Sequence, residues 1–238
     1  MDPLLLAAIL LFATFSQTVT GFGSGLISMA ALASLLDIHV TVPLVAVCSI
    51  AIEVGILARF RHAFNLRSVI QLSVASVIAV PLGVALLDVI DQTVFLRLLG
   101  VLITGYAAYA LLRFRLPTIQ HPAWAYGFGF FGGLLGGMYN VSGPPVVIYG
   151  TCRCWSPNEF RSNLQGFFLI NNLTAVAAHA VNQNYTPAVW QHFLVALPAI
   201  GVGLLLGFVA DRYVNAGLFR TLVFVLLAVL GVRMIFSV

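Results

Sequence analysis

Gly21-Phe22-Gly23-Ser24-Gly25 interrupts an apolar stretch, 4–36, that carries no charged residue. At 33 residues the stretch is too long for one straight helical crossing of a bilayer, which takes ≈20, and short for two. A second stretch of this kind, 123–150, contains Gly132-Gly133 and then Gly136-Gly137-Met138-Tyr139-Asn140-Val141-Ser142-Gly143-Pro144-Pro145. Glycine and proline in such density break a regular helix. Broken backbone at membrane depth survives only where protein or a wet cavity surrounds it. Both stretches therefore read as broken or re-entrant helix pairs.

The rest of the chain fits a membrane setting. Of its 238 residues 61% are hydrophobic and 8% charged, with mean hydropathy +1.05. A soluble fold could not coat its surface from that stock. Six further segments, about 41–58, 68–87, 94–112, 160–180, 189–210 and 217–236, are long and apolar enough to cross a bilayer. Pro43, Pro81 and Pro198 lie inside three of them, which membrane helices tolerate. The opening residues Met1-Asp2-Pro3 lack a basic n-region, and no A-x-A site follows, so the first stretch reads as retained.

One broken stretch followed by three crossings occurs twice. The chain thus reads as an all-α polytopic membrane protein made of two repeats, 1–118 and 119–238. Gly21-Phe22-Gly23 echoes Phe131-Gly132-Gly133, Leu96-Arg97 echoes Phe219-Arg220, and Pro81 echoes Pro198. If each broken stretch enters and leaves on one side, each half makes three net crossings and the repeats are inverted. Arg59, Arg61, Arg67, Arg113, Arg115, Arg153, Arg161, Arg212 and Arg220 then lie on one side, and Arg97 and Arg233 on the other. Single crossings by the broken stretches would split the 11 basic residues, all arginines, six to five. Cytoplasmic loops concentrate arginine, so the inverted arrangement is expected, with both termini periplasmic.

Opposed half-helix ends suggest what the protein handles. A helix N-terminus presents unpaired N–H groups and the positive end of the peptide dipole, and so attracts anions. The candidate ends are 21–25 and 140–145, with Gln17, Gly21, Gly23, Ser24, Gly25, Asn140, Ser142, Gly143 and Pro144 as substrate-binding candidates. The plainer alternative is an irregular structural turn. Gly129, Gly133 and Gly137 recur every four residues, as do Gly203 and Gly207, a spacing expected of tight helix packing. Asn163, Asn171 and Asn172 add polar candidates in the crossing after the second break; adjacent Asn171 and Asn172 cannot share a helix face. Glu53 is the carboxylate set well inside a span, at the position that Asn171 and Asn172 hold in the second half. Such a residue faces a cavity or a partner and is the candidate for carrying a coupling proton. Its plainer reading is an ion pair with Arg59.

At these residues the chain resembles the sulfite exporter TauE/SafE family, also called TSUP. The resemblance rests on Gly21-Phe22-Gly23-Ser24-Gly25 after Gln17, on Gly132-Gly133-Leu134-Leu135-Gly136-Gly137 running into Ser142-Gly143-Pro144, and on Glu159-Phe160-Arg161-Ser162-Asn163. It implies a bacterial inner-membrane transporter of small anions, often sulfur-containing ones such as sulfite or sulfonates, coupled to an ion gradient. It also implies family breaks at Gly21, Gly23, Gly25, Gly137, Gly143 and Pro144, with Asn140 and Ser142 as polar positions. Glu53 departs from the neutral residue expected there.

The expected function is secondary transport of a small anion by alternating access, as an exporter, with a proton or other coupling ion as partner. A channel would share these features. An enzyme would need acid–base equipment, and the chain has no H-E-x-x-H, no G-x-S-x-G and only two glutamates, Glu53 and Glu159. No cofactor, metal or nucleic-acid partner is expected. Cys48 reads as an apolar filler, and Cys152 and Cys154 lack His or Asp neighbours. Nothing in the sequence fixes an oligomeric state.

Overall fold

The structure is a computed structural model, and it describes residues 1–112 and 116–236. Among the described residues are ten α-helices: α1 (Pro3–Thr20), α2 (Ser24–Leu32), α3 (Ile38–Phe60), α4 (Leu66–Leu87), α5 (Gln92–Leu112), α6 (Trp124–Tyr139), α7 (Gly143–Cys152), α8 (Pro157–Val181), α9 (Pro187–Ala210) and α10 (Ala216–Phe236). The six long crossings fall where hydropathy puts them. Pro43, Pro81 and Pro198 sit inside α3, α4 and α9 without ending them. Each broken stretch is a long helix and a short one. At 1.5 Å per residue, α2 and α7 are about 14 and 15 Å long, roughly half a hydrocarbon core.

Hydrogen bonds at the helix ends assign the faces. Asp88, after α4, meets Asn182, after α8, at 3.3 Å and His39, in the first turn of α3, at 3.9 Å. At the opposite ends of the same helices, Asn65 N–H donates to Asn163 at 2.8 Å, and Arg161 pairs with Asp211 at 2.7 Å. The second hairpin closes on this latter face, because Ile119 N–H donates to the Cys152 carbonyl at 2.9 Å. The first hairpin starts from the other face. Its α1 runs parallel to α9, with Gly203 against Leu11 and Thr14, and Gly207 against Thr18.

Each broken pair therefore turns back to the face it left, and each half makes three net crossings. The seven long apolar helices include α1, but α2 returns the chain. One face carries Arg59, Arg61, Arg67, Arg153, Arg161, Arg212 and Arg220, and the opposite face carries Arg97 and Arg233. Arg113 and Arg115 lie outside the described residues. We call these the arginine face and the terminal face, the latter holding the start of α1 and the end of α10.

Helix pairing obeys the same two-fold exchange. α1 packs on α9 and α6 on α4; α3 packs on α8 and α5 on α10. Exchanging the halves maps this set onto itself, as expected of inverted repeats. The glycine ladders explain the closeness. A Cβ on Gly129, Gly133 or Gly137 would collide with the α4 backbone at Leu72, Ser76 or Val80. Gly137 is thus a packing residue within α6, not part of the break that the family resemblance implies for it.

Candidate functional site

Both breaks are built on left-handed residues. Gly21 caps α1 with φ 88°, Gly23 precedes α2 with φ 109°, and Asn140 caps α6 with φ 52°. Glycine adopts these values without strain, and Asn is the commonest other residue there. Gly21 and Asn140 share the 119-residue separation of Glu53 and Asn172, so they are equivalent points of the two halves. The tips touch directly. A Cβ on Gly25 would strike the Asn140 carbonyl oxygen.

Between the tips lies a small cavity lined by Gln17, Gly23, Ser24, Gly25, Leu26, Ser49, Glu53, Asn140, Val141, Ser142, Gly143, Phe168 and Asn172. Its volume is about 20 Å³, room for one or two waters. Of the residues singled out from sequence, the structure brings Gln17, Gly23, Ser24, Gly25, Glu53, Asn140, Ser142, Gly143 and Asn172 to this wall. Gly21 and Pro144 do not line it, and Gly21 abuts Arg161 instead.

Asn163 and Asn171 lie elsewhere. Asn163 accepts from Asn65 N–H near the arginine face. Asn171 donates to Ser76 Oγ at 2.8 Å and abuts Gly136, facing α4 and α6 rather than the cavity. Ser49 and Phe168 complete the wall. Each stands four residues before Glu53 or Asn172, hence on the same helix face. That spacing is the signal by which the sequence could have offered them.

The two helix ends are unequal. At α2, Gln17 Oε1 accepts from Ser24 N–H at 2.9 Å and from Ser24 Oγ. Gln17 Nε2 donates to Gln165 Oε1 at 3.0 Å, and Gln165 Nε2 donates to the Gly21 carbonyl at 2.7 Å. This amide chain pins the first break to α8. It occupies the Ser24 N–H and leaves Gly23, Gly25 and Leu26 with first-turn N–H groups free of intrahelical acceptors. At α7, Pro144 and Pro145 remove two of the four such groups, so Ser142 and Gly143 alone supply backbone donors there.

Glu53 is 2% exposed. Its Oε1 accepts from Asn172 Nδ2 at 2.6 Å, and its Oε2 has no protein partner. Because the two residues are equivalent, their bond sits on the pseudo-two-fold axis. The ion pair with Arg59 does not form: Arg59 lies over the Phe208 ring at 4.8 Å. Asn140 Nδ2 donates to the Val42 carbonyl at 2.6 Å, while its Oδ1 is unpartnered. The cavity thus combines amide donors with one carboxyl group. Among the described residues no three His, Cys, Asp or Glu side chains gather into a metal site.

Comparison with known proteins agrees with this architecture. The family model for sulfite exporter TauE/SafE matches residues 6–234. The probable sulfite/organosulfonate exporter TauE of Cupriavidus necator is 30% identical over 215 residues, covering 86% of this chain and 83% of that protein. No solved structure matches. The match runs through both hairpins and all six crossings, and it makes the chain a member of the TauE/SafE family of small-anion membrane transporters, not an enzyme.

Proposed function

We propose that this protein is a proton-linked secondary transporter of small sulfur oxyanions, sulfite or short organosulfonates, in a bacterial inner membrane, with both termini periplasmic. The observation that carries the reading is the meeting of two half-helix N-termini, one from each repeat (1–118 and 119–238), around a wall shared with Glu53 and Asn172. Oxyanion oxygens suit the Gly23, Gly25, Leu26 and Gly143 amides and the Ser142 hydroxyl. The name of the Cupriavidus necator relative supports the sulfur class.

Glu53 gives the proton its role. A singly charged anion about 4 Å from an ionised carboxylate is opposed by about 4 kcal/mol at an effective dielectric of about 20. That is nearly three orders of magnitude in affinity. With Glu53 protonated, the repulsion disappears and the carboxyl can donate to the anion. Anion and proton then load together and travel together. Net direction follows the sum of their gradients, so export proceeds when internal anion outweighs the inward proton force.

The two-fold pairing of hairpins supplies alternating access. In the occluded state each tip closes the cavity against one face, and rocking of one hairpin against the opposite half exposes it. The cavity's small size favours a carrier over a channel, which needs a continuous pore. Counterflow in proteoliposomes tests this: preloaded unlabelled methanesulfonate should drive transient accumulation of labelled methanesulfonate. A pH gradient with the exterior acidic should accelerate net uptake. Flux without counterflow would establish a channel instead.

A further inference from the structure

A second cavity opens near the arginine face, between α5, α7 and α10, with a volume of about 390 Å³. Among the described residues the one cation on its wall is Arg220, and no carboxylate lines it. The ion pairs among the described residues are His39–Asp88 and Arg161–Asp211, so no acid neutralises Arg220. Its guanidinium lies over the Phe22 ring at 4.7 Å and the Phe224 ring at 5.4 Å. Cation–π contacts hold a charge in place without cancelling it. Tyr106 and Tyr109 line the same space, as do Thr151 and Thr221, whose hydroxyls donate to the Val147 and Gly217 carbonyls. A fixed cation with no acid nearby is the chemistry of an oxyanion site.

The position relates this space to the central one. Phe22 is buried, 2% exposed, and stands between Gly21 and Gly23 in the first break. Gly23 lines the central cavity, and Arg220, on the wall of the second, lies over the neighbouring Phe22, so the first break reaches toward both spaces. A second opening of about 370 Å³ shares Thr151, Gly217 and Arg220 and adds Arg161, widening the approach from the arginine face.

We propose that the Arg220 cavity is a waiting site for the transported oxyanion on the arginine face, with the first break between it and the central cavity. The inference rests on the transport reading above and adds a second, one-sided station to it. A small anion meets Arg220 first, where no carboxylate opposes it, and moves on to the central cavity when the first break moves and Glu53 is protonated. An anionic lipid headgroup has the same chemistry and would compete for the site.

The test is methanesulfonate uptake into oriented proteoliposomes of purely zwitterionic lipid, for wild type, Arg220→Gln and Arg220→Lys. Arg220→Gln should raise KM about tenfold or more when substrate is presented at the arginine face, the usual cost of losing a charged partner. It should leave KM unchanged from the terminal face, and Arg220→Lys should restore part of the loss. Equal KM changes from both faces, or none from either, would overturn the proposal. A defect seen only with anionic lipid would overturn it in favour of a lipid site. Absence of uptake by folded wild type would instead defeat the transport reading itself.

Discussion

Glycine is used for two different reasons within five residues of the first break, and substitutions separate them. Gly23 has open space where a Cβ would go but holds φ 109°, so Gly23→Ala should cost about 1–2 kcal/mol through backbone strain alone. Gly25 has an ordinary helical backbone but abuts the Asn140 carbonyl, so Gly25→Ala must push the two tips apart. We expect Gly25→Ala to abolish transport while Gly23→Ala leaves a folded, slower carrier; thermal unfolding in detergent beside uptake assays would show it. At Glu53, Gln keeps the shape of the protonated acid. Glu53→Gln should still bind anion, with uptake that no longer responds to an imposed pH gradient. Full proton-driven uptake by that variant would remove Glu53 from the mechanism.

The same residues show how far the sequence could be read. Gln17, Gly23, Ser24, Gly25, Glu53, Asn140, Ser142, Gly143 and Asn172 stand out because polar or helix-breaking residues are rare at membrane depth, and all of them reach the cavity. Asn163 and Asn171 stand out for the same reason but satisfy partners on α4 and before it. Rarity flags a buried polar group, and helix phase decides which wall it faces. Ser49 was passed over because a small hydroxyl residue is unremarkable in a membrane helix, although it stands one turn before Glu53.

Among the helices, glycine spacing separates packing faces from lipid faces. Gly129, Gly133 and Gly137 bring α6 onto the α4 backbone, whereas Gly105, Gly127 and Gly201 have nothing within 4 Å of a built Cβ. Gly133→Leu should wedge α4 from α6 and prevent stable folding, since overpacking costs about 1–3 kcal/mol per insertion or more against backbone. Gly105→Ala and Gly201→Ala should be neutral, or stabilise by about 0.5–1 kcal/mol through helix propensity. Size-exclusion profiles and unfolding midpoints of the three variants check the contrast. Spacing alone pointed to packing at the first set, but it could not name the partner helix, because α6 crosses to the other half to reach α4.

For the whole molecule, arginine placement carried the topology. The six crossings were legible as apolar runs, and the inverted arrangement followed from the loops that hold arginine. What stayed illegible was depth: no pattern in 4–36 says that the hairpin tip reaches the opposing one. The topology has its own check in the native cysteines. Cys48 and Cys152 are buried and Cys154 is exposed at the arginine face. A membrane-impermeant maleimide should therefore label the wild-type chain at Cys154 from the cytoplasmic side only, and cysteines placed in 181–188 from the periplasmic side only.

The central claim is that the two hairpin tips together form one anion site. Its most direct measurement is saturable sulfite and methanesulfonate uptake by Ser24→Leu and Ser142→Leu proteins, each verified as folded, beside wild type. The account predicts that each change, though made in a different half, lowers uptake by about tenfold or more. Wild-type uptake by either variant would contradict it.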